Sequence, residues 1–301
     1  MRSIPNFSIV IPTYCRTKQL ANLLSSLTGL NYAANRFEVI VVDDGSKVSL
    51  EPVVSPFSTD LHITLLKQVN SGPAAARNHG ASWAGGHFLA FTDDDCVVDA
   101  GWLQALEETF RETPLAICGG RTLNLLSPNI YSTASHQLLD FLHQHYSPQM
   151  HLGGFYPTDN FAVPRVKFLE MGGFDPNLRF GEDRDFCFRW ALRGYPFRSI
   201  PEAVVYHSHP LRLSSFLRLH FCYGGGSYRL REGRVDRSCR VPKLNPPSFY
   251  LKLILSGIKE QRNMYGSLLS LLLLASQGAN TAGFFWEALR QSHRRGHTYK
   301  Y

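Results

Sequence analysis

The chain has 301 residues, 44% of them apolar and 18% charged, which excludes wholesale disorder and leaves enough material for a substantial core. A formal charge of +7 and a pI near 9.1 point to an anionic partner: phosphate, nucleic acid or an acidic membrane surface. Six scattered cysteines (Cys15, Cys96, Cys118, Cys187, Cys222 and Cys239) show no CxxC spacing, which argues against structural zinc and a disulfide framework and favours a reducing compartment.

The opening MRSIPNFSIVIPTYCR has too short an apolar run for a signal peptide, so a cytoplasmic protein is expected. Residues 7–11 (FSIVI), closed by Pro12, read as a buried parallel strand. From Lys18 to Leu30, the spacing of Leu20, Leu23, Leu24 and Leu27 predicts one face of a helix. FEVIVV (37–42) is a second buried strand, ending at Asp43-Asp44-Gly45-Ser46, and LHITLL (61–66) is a third. A helix is expected across 73–84, and HFLAFT (87–92) is a fourth strand running into Asp93-Asp94-Asp95. Strand and helix alternating at this rhythm imply an α/β fold with a parallel sheet covered on both faces.

Both acidic clusters follow a strand directly, at the carboxyl edge where open α/β sheets bind ligands. An isolated Asp pair is usually a turn or a helix cap. Three consecutive aspartates at a strand mouth repel one another unless a cation neutralises them, and carboxylate oxygens suit Mg²⁺ or Mn²⁺. If strand geometry persists, Asp93 and Asp95 face one side and Asp94 the other, a D-x-D pair facing a metal. Asp43 and Asp44 are a plain turn or acceptors for a base N–H and ribose hydroxyls. In NSGPAAARNHG (70–80), Arg77 sits on an alanine face, where it either braces the acidic loops or reaches a phosphate.

Together these segments resemble the family 2 glycosyltransferases, with the GT-A fold. The matching stretches are SIVIPTYCR (8–16), FEVIVVDDGS (37–46), NSGPAAARNHG (70–80), FLAFTDDDC (88–96), GGFDPNLRFGEDRDFCFRWALRGY (172–195) and IPEAVVYHSHP (200–210). The resemblance implies that Pro12, Thr13 and Tyr14 line a nucleotide pocket and that Asp43 and Asp44 contact base and ribose. It implies that Asp93 to Asp95 hold the nucleotide and, through its diphosphate, a divalent metal ion. Glu182-Asp183 matches the family's acid pair, whose aspartate is the catalytic base, and His207 matches a histidine completing the metal shell. His209 is a second candidate for that role. Where relatives carry a further acid after the D-x-D, this chain has Cys96.

The implied reaction is an inverting displacement at the anomeric carbon of a nucleotide-sugar donor. A cation held by Asp95 and His207 would stabilise the leaving diphosphate. Asp183 would take the proton of the acceptor hydroxyl, with Glu182 positioning the acceptor or raising the pKa of Asp183. Helical spacing of Phe186, Trp190 and Ala191 puts Asp183 at a helix N-terminus. A sugar nucleotidyltransferase would show a glycine-rich phosphate loop where PTYCR stands, and a dehydrogenase would show GxGxxG. An inactive nucleotide-sugar-binding scaffold of the same fold would be marked by loss of Asp183, which is present.

The division expected is a catalytic domain over 1–210 and a basic, apolar helical region over 211–301. LRLSSFLRLHFCY (211–223) reads as an amphipathic helix interrupted by Gly224-Gly225-Gly226. The basic stretch after it (Arg229, Arg231, Arg234, Arg237, Arg240, Lys243) reads as a solvated connector or as a contact for phosphate or anionic lipid; it lacks the interleaved aromatic residues of a nucleic-acid platform. Two apolar stretches over 247–289 read either as an interfacial helical hairpin with Trp286 near the headgroups or as a soluble helical subdomain. The first of these readings suits a glycan or lipid-linked acceptor at the inner face of the cell membrane.

Overall fold

Four short, largely apolar runs build one half of a sheet, and three of them are buried on both faces, as strands between two helical layers are. The computed structural model describes residues 6–146, 155–236, 245–260 and 263–298. These runs are β1 (Phe7–Thr13), β2 (Phe37–Asp43), β3 (Ile63–Lys67) and β4 (Phe88–Phe91), linked by α1 (Thr17–Thr28), the short α2 (Glu51–Val54) and α3 (Pro73–Trp83). Then follow β5 (Cys96–Val98), α4 (Trp102–Glu112), β6 (Ile117–Asn124), α5 (Ile130–Tyr146), β7 (Phe161–Pro164), α6 (Arg165–Glu170), α7 (Glu182–Leu192) and β8 (Phe197–His207). The chain continues through α8 (Leu213–Asp236), α9 (Pro247–Glu260) and α10 (Met264–Thr298).

The sheet order is β3-β2-β1-β4-β7-β6-β8-β5. The first four strands are parallel, as expected. The sheet as a whole is mixed, because β7 returns antiparallel between β4 and β6, and β5 runs antiparallel to β8. Register sets the site: Thr13 lies opposite Asp43, and Val10 opposite Phe91, so three strand ends open on one edge. β8 delivers His207 to the same place by pairing it with Cys96.

Two compact units result, residues 1–125 with 150–208 and residues 126–149 with 209–301. The sequence-based boundary at 210 falls beside this division but leaves out the excursion of 126–149, which carries α5. The first unit buries Phe7, Ile9, Leu24, Val41 and Trp102 in one core. In the second, α5, α8, α9 and α10 share apolar contacts such as Ala134, Phe216 and Leu269, and Leu138, Phe249, Leu253 and Leu273.

The three glycines expected to interrupt the helix do not: α8 runs unbroken through Gly224–Gly226. A Cβ at Gly224 would collide with the carbonyl oxygen of Asn280, and one at Gly283 with that of Phe221. Glycine is there so that α8 and α10 can touch backbone to backbone, and that packing outweighs its low helix propensity. Arg229 ties the same two helices through Glu287 at 2.9 Å. Among the expected basic residues, Arg237, Arg240 and Lys243 lie outside the described residues, as does the side chain of Arg234.

Candidate active site

At the end of β1, Pro12 and Thr13 lead into Tyr14, which is 45% exposed at the sheet edge. Cys15 adopts a positive φ of 56°, and its N–H donates to Ser46 Oγ at 2.8 Å, so the first loop is pinned to the second. Asp43 accepts the Ser46 N–H at 2.8 Å and closes its own turn. Asp44, expected at the base or ribose, accepts three hydrogen bonds from the protein. One oxygen accepts Gln68 Nε2 and the Ser71 N–H at 2.8 Å each, and the other accepts the Gly72 N–H at 2.9 Å. The loops after β2 and β3 are thereby stitched together.

The three aspartates do not alternate as a continued strand would. β4 stops at Phe91, and a turn closed by Cys96 N–H to Asp93 O follows. Its curvature puts Asp94 and Asp95 together, where Arg16 Nη1 donates to Asp94 at 2.9 Å and to Asp95 at 2.8 Å. Asp93 turns the other way, onto Arg77. Burial pushes the Asp94 carboxyl up to about 6 against the pull of Arg16.

Arg77 braces rather than projects. It is 3% exposed, and its two terminal nitrogens donate to Asp93 at 2.5 Å and to Glu182 at 2.9 Å. Of the two readings left open for Arg77, the bracing one is seen here as a buried bridge between the strand-end acids and the acid pair.

Glu182 and Asp183 open α7 behind Gly181, whose φ of 87° needs glycine. Their loop is fixed from below. Asn78 exchanges hydrogen bonds with the backbone of Phe174, and Arg189 donates to Met171 O, Gly173 O and Asp185. Rings of Phe91, Phe161, Phe168, Phe174 and Phe186 pack beneath. Burial first, then the charge of Asp183, raises the Glu182 pKa; burial likewise raises that of Asp183, opposed by Arg184 and Arg77.

On the other flank, His207 Nε2 lies 3.1 Å from Asp95 Oδ1, and the Ser208 N–H donates to Asp95 O at 2.8 Å. Burial opposes the imidazolium, but the hydrogen bond and charge of Asp95, then Asp159 and Asp93, outweigh it, and the pKa rises to about 9. Donor atoms of Asp95, Cys96 and His207 all lie within 4.8 Å of one another. Burial holds the Cys96 thiol protonated well above its usual range, so it is a poor ligand for a hard ion. The remaining carboxylate and imidazole fit Mn²⁺ or Mg²⁺, with further positions left for oxygen ligands. His209 belongs to the second unit, where its carbonyl accepts from Ser132 Oγ, and it is not part of this cluster.

Two residues of the site escaped sequence reasoning. Arg16 ends the PTYCR stretch, where a lone cation close behind a strand end was the available signal. Asp159 reaches the site from a single turn, Thr158–Asn160, that precedes its strand instead of following one.

This is the edge-of-sheet acid cluster of a GT-A glycosyltransferase, and the chain belongs to glycosyl transferase family 2, whose description fits residues 8–172. It is 32% identical over 239 residues to a pre-mycofactocin glycosyltransferase of Mycobacterium tuberculosis, covering 77% of this chain and 48% of that protein. The chain thus spans about half the length of that curated relative. In fold it is similar to the mannosyltransferase PcManGT from Pyrobaculum calidifontis in complex with GDP-Man and Mn²⁺. The TM-score is 0.61 at 16% identity, over 99% of this chain and 82% of that one. S. aureus TarS 1–349 in complex with UDP-GlcNAc aligns with a TM-score of 0.54 at 18% identity, over 96% of this chain and 92% of that one.

Proposed function

We propose that this chain is an inverting, metal-dependent glycosyltransferase that moves a sugar from a nucleoside diphosphate donor to an acceptor hydroxyl. Its product belongs to cell-envelope polysaccharide or glycolipid synthesis at the inner face of the cell membrane. The observation that carries the reading is the Arg77 bridge, which fastens Asp93 of the donor-side cluster to Glu182 of the acid pair. Donor-side and acceptor-side chemistry then share one rigid edge, as an in-line displacement requires.

Tyr14 and the joined loops around Asp43 form the nucleotide wall. Asp95 and His207 would hold a divalent ion, which supplies Lewis acidity to the leaving diphosphate when bound. Asp183 takes the acceptor proton at its carboxylate; its raised pKa brings it nearer the ideal for a general base at neutral pH. Glu182, held by Arg77, positions the acceptor or raises the basicity of Asp183 by like charge. Inversion follows from the family resemblance.

The test is calorimetry of UDP-, dTDP- and GDP-sugars with Mn²⁺ or with EDTA, on the wild type and on Asp95→Ala. Tight binding of one donor that needs both the metal and Asp95 supports the reading and names the nucleotide. Folded protein that binds none overturns it, and binding without transfer to any acceptor favours a scaffold of the same fold.

The membrane contact is assigned to α9 and α10. Leu251, Leu255, Leu268, Leu271, Phe285 and Trp286 are all exposed there, and Met264–His293 is long and apolar enough to cross a membrane by length and composition. Lys252 and Arg290 are exposed on the same helices, while the acid Glu287 is buried and paired with Arg229 and Arg290, which suits an anionic lipid surface. The full chain should co-sediment with phosphatidylglycerol vesicles, and Leu271→Glu with Phe285→Glu should release it. Equal recovery with neutral vesicles, or no release by the pair, counts against the assignment.

A further inference from the structure

We propose that Asp159 is a positioning residue for the cation site: its carboxylate holds a proton on His207 Nδ1, so that Nε2 is the ring nitrogen that binds a divalent ion together with Asp95. The inference rests on the reading of Asp95 and His207 as metal ligands and goes beyond it, since no motif assigns Asp159 a part.

The geometry makes the choice of tautomer consequential. His207 Nε2 stands 3.1 Å from Asp95 Oδ1. A neutral imidazole carrying its proton on Nε2 would donate it to Asp95, and one hydrogen bond would consume both ligands. With a proton held on Nδ1, Nε2 is the nitrogen that can give up its proton, and its lone pair and Asp95 Oδ1 can then bind one cation. Asp159 Oδ2 lies 3.7 Å from Nδ1, on the opposite edge of the ring, and its negative charge favours a proton there.

Asp159 is also held in place at evident expense. It is 5% exposed, and it is buried beside His207, 3.7 Å away, in the same acidic cluster as Asp95. A fourth carboxylate beside three aspartates would relax toward solvent if the turn allowed it. The turn does not allow it. Thr122 Oγ1 donates to Asp159 at 3.2 Å, and the neighbouring Asn160 is clamped by Trp102 Nε1 and by Ala203 O at 2.9 Å each. A Cβ at Gly120 would collide with the Asn160 amide, so this glycine and the register shift beside it let the turn seat against β6 and β8. Thr122, Asp159, His207 and Asp95 then form one ordered line.

The experiment titrates Mn²⁺ into the full chain in the presence of GDP or UDP, without acceptor, and reads free Mn²⁺ by electron paramagnetic resonance. Asp159→Asn should weaken Mn²⁺ binding about 10–100-fold, the range for loss of a carboxylate behind a ligating histidine. Thr122→Val, the milder variant, should weaken it severalfold while the fold is kept. In a His207→Asn background, Asp159→Asn should add nothing, because Asp159 acts through His207. Unchanged affinity in Asp159→Asn, with Asp95→Ala weakened, overturns this inference alone. A full additional loss in the His207→Asn background also overturns it, by making Asp159 a direct ligand or a prop of the fold. Equal Mn²⁺ affinity of Asp95→Ala and the wild type overturns the metal reading itself, and this inference with it.

Discussion

Replacing Arg77 with Met keeps the length of the side chain and removes the charge that joins the two halves of the site. Glu182 is 7% exposed and would be left buried with no cation; Asp93 is more open, its side chain 29% exposed, and is partly screened by water. Removing one partner of a buried ion pair destabilises by about 3–5 kcal/mol, and the openness of Asp93 favours the lower end, about 3 kcal/mol. For a unit of this size that corresponds to a fall in Tm of roughly 6–12 °C. The loss also depends on pH. The folded pKa of Glu182 is already raised, by burial and then by Asp183, with Arg77 pulling it down. A carboxylate with a raised folded pKa favours folding below its unfolded value, and that advantage is lost as pH rises through the folded value. Without Arg77 the folded value climbs further, so the deficit should be larger at pH 8 than at pH 5. Thermal unfolding followed by circular dichroism at both pH values measures it, and Glu182→Gln in the Arg77→Met background should recover part of the loss. A fall below about 3 °C, or equal deficits at the two pH values without rescue, would refute the view of Arg77 as a brace.

Other consequences are equally direct. Asp183→Asn should lower kcat by about 10²–10⁴-fold with donor affinity unchanged by calorimetry, as expected for loss of a general base. Because His207 titrates near 9 in the metal-free protein, Mn²⁺ must displace a proton below that pH; affinity should climb about tenfold per unit from pH 7 and flatten above about 9 in buffered titrations. The same raised pKa gives the metal-free fold stability that is fully present below about 6.5 and lost as pH rises through about 9, which chemical unfolding across that window will read. Gly283→Leu should drive side-chain atoms into the backbone of α8 and cost the second unit more than about 2 kcal/mol, visible as rapid proteolysis within α8 and α10 at temperatures the wild type withstands.

The parallel half of the sheet was legible because its strands are unbroken apolar runs punctuated by Asp, Gly and Pro, a pattern that leaves few other folds open. The acid pair at the start of α7 was legible for the same local reason: glycine before it, helical spacing after it. What failed depended on partners distant in sequence. Gly224–Gly226 read as an interruption until Asn280 and Phe221 supplied the close contact that needs them. Asp94 read as facing away from Asp95 because the strand was carried one turn too far, and only the reach of Arg16 shows that the two share a side. For Arg77 the residue type left bracing and phosphate contact open, and only the placement of Asp93 and Glu182 shows the brace; the hydrogen bonds that Asp44 accepts from Ser71 and Gly72 likewise come from a loop distant in sequence. No periodicity encodes such choices.

The excursion of residues 126–149 has a practical meaning for anyone dissecting the molecule. Neither unit is a continuous piece of polypeptide, so no single cut separates them. Ending the chain near residue 210 would leave α5 with Ala134 and Leu138 stripped of Phe216, Leu269, Leu253 and Leu273, an apolar helix hung on an otherwise finished sheet. Such a fragment is a recipe for inclusion bodies, whatever the merits of its catalytic residues. A soluble first unit requires that the excursion be excised as well and its ends rejoined by a short polar bridge.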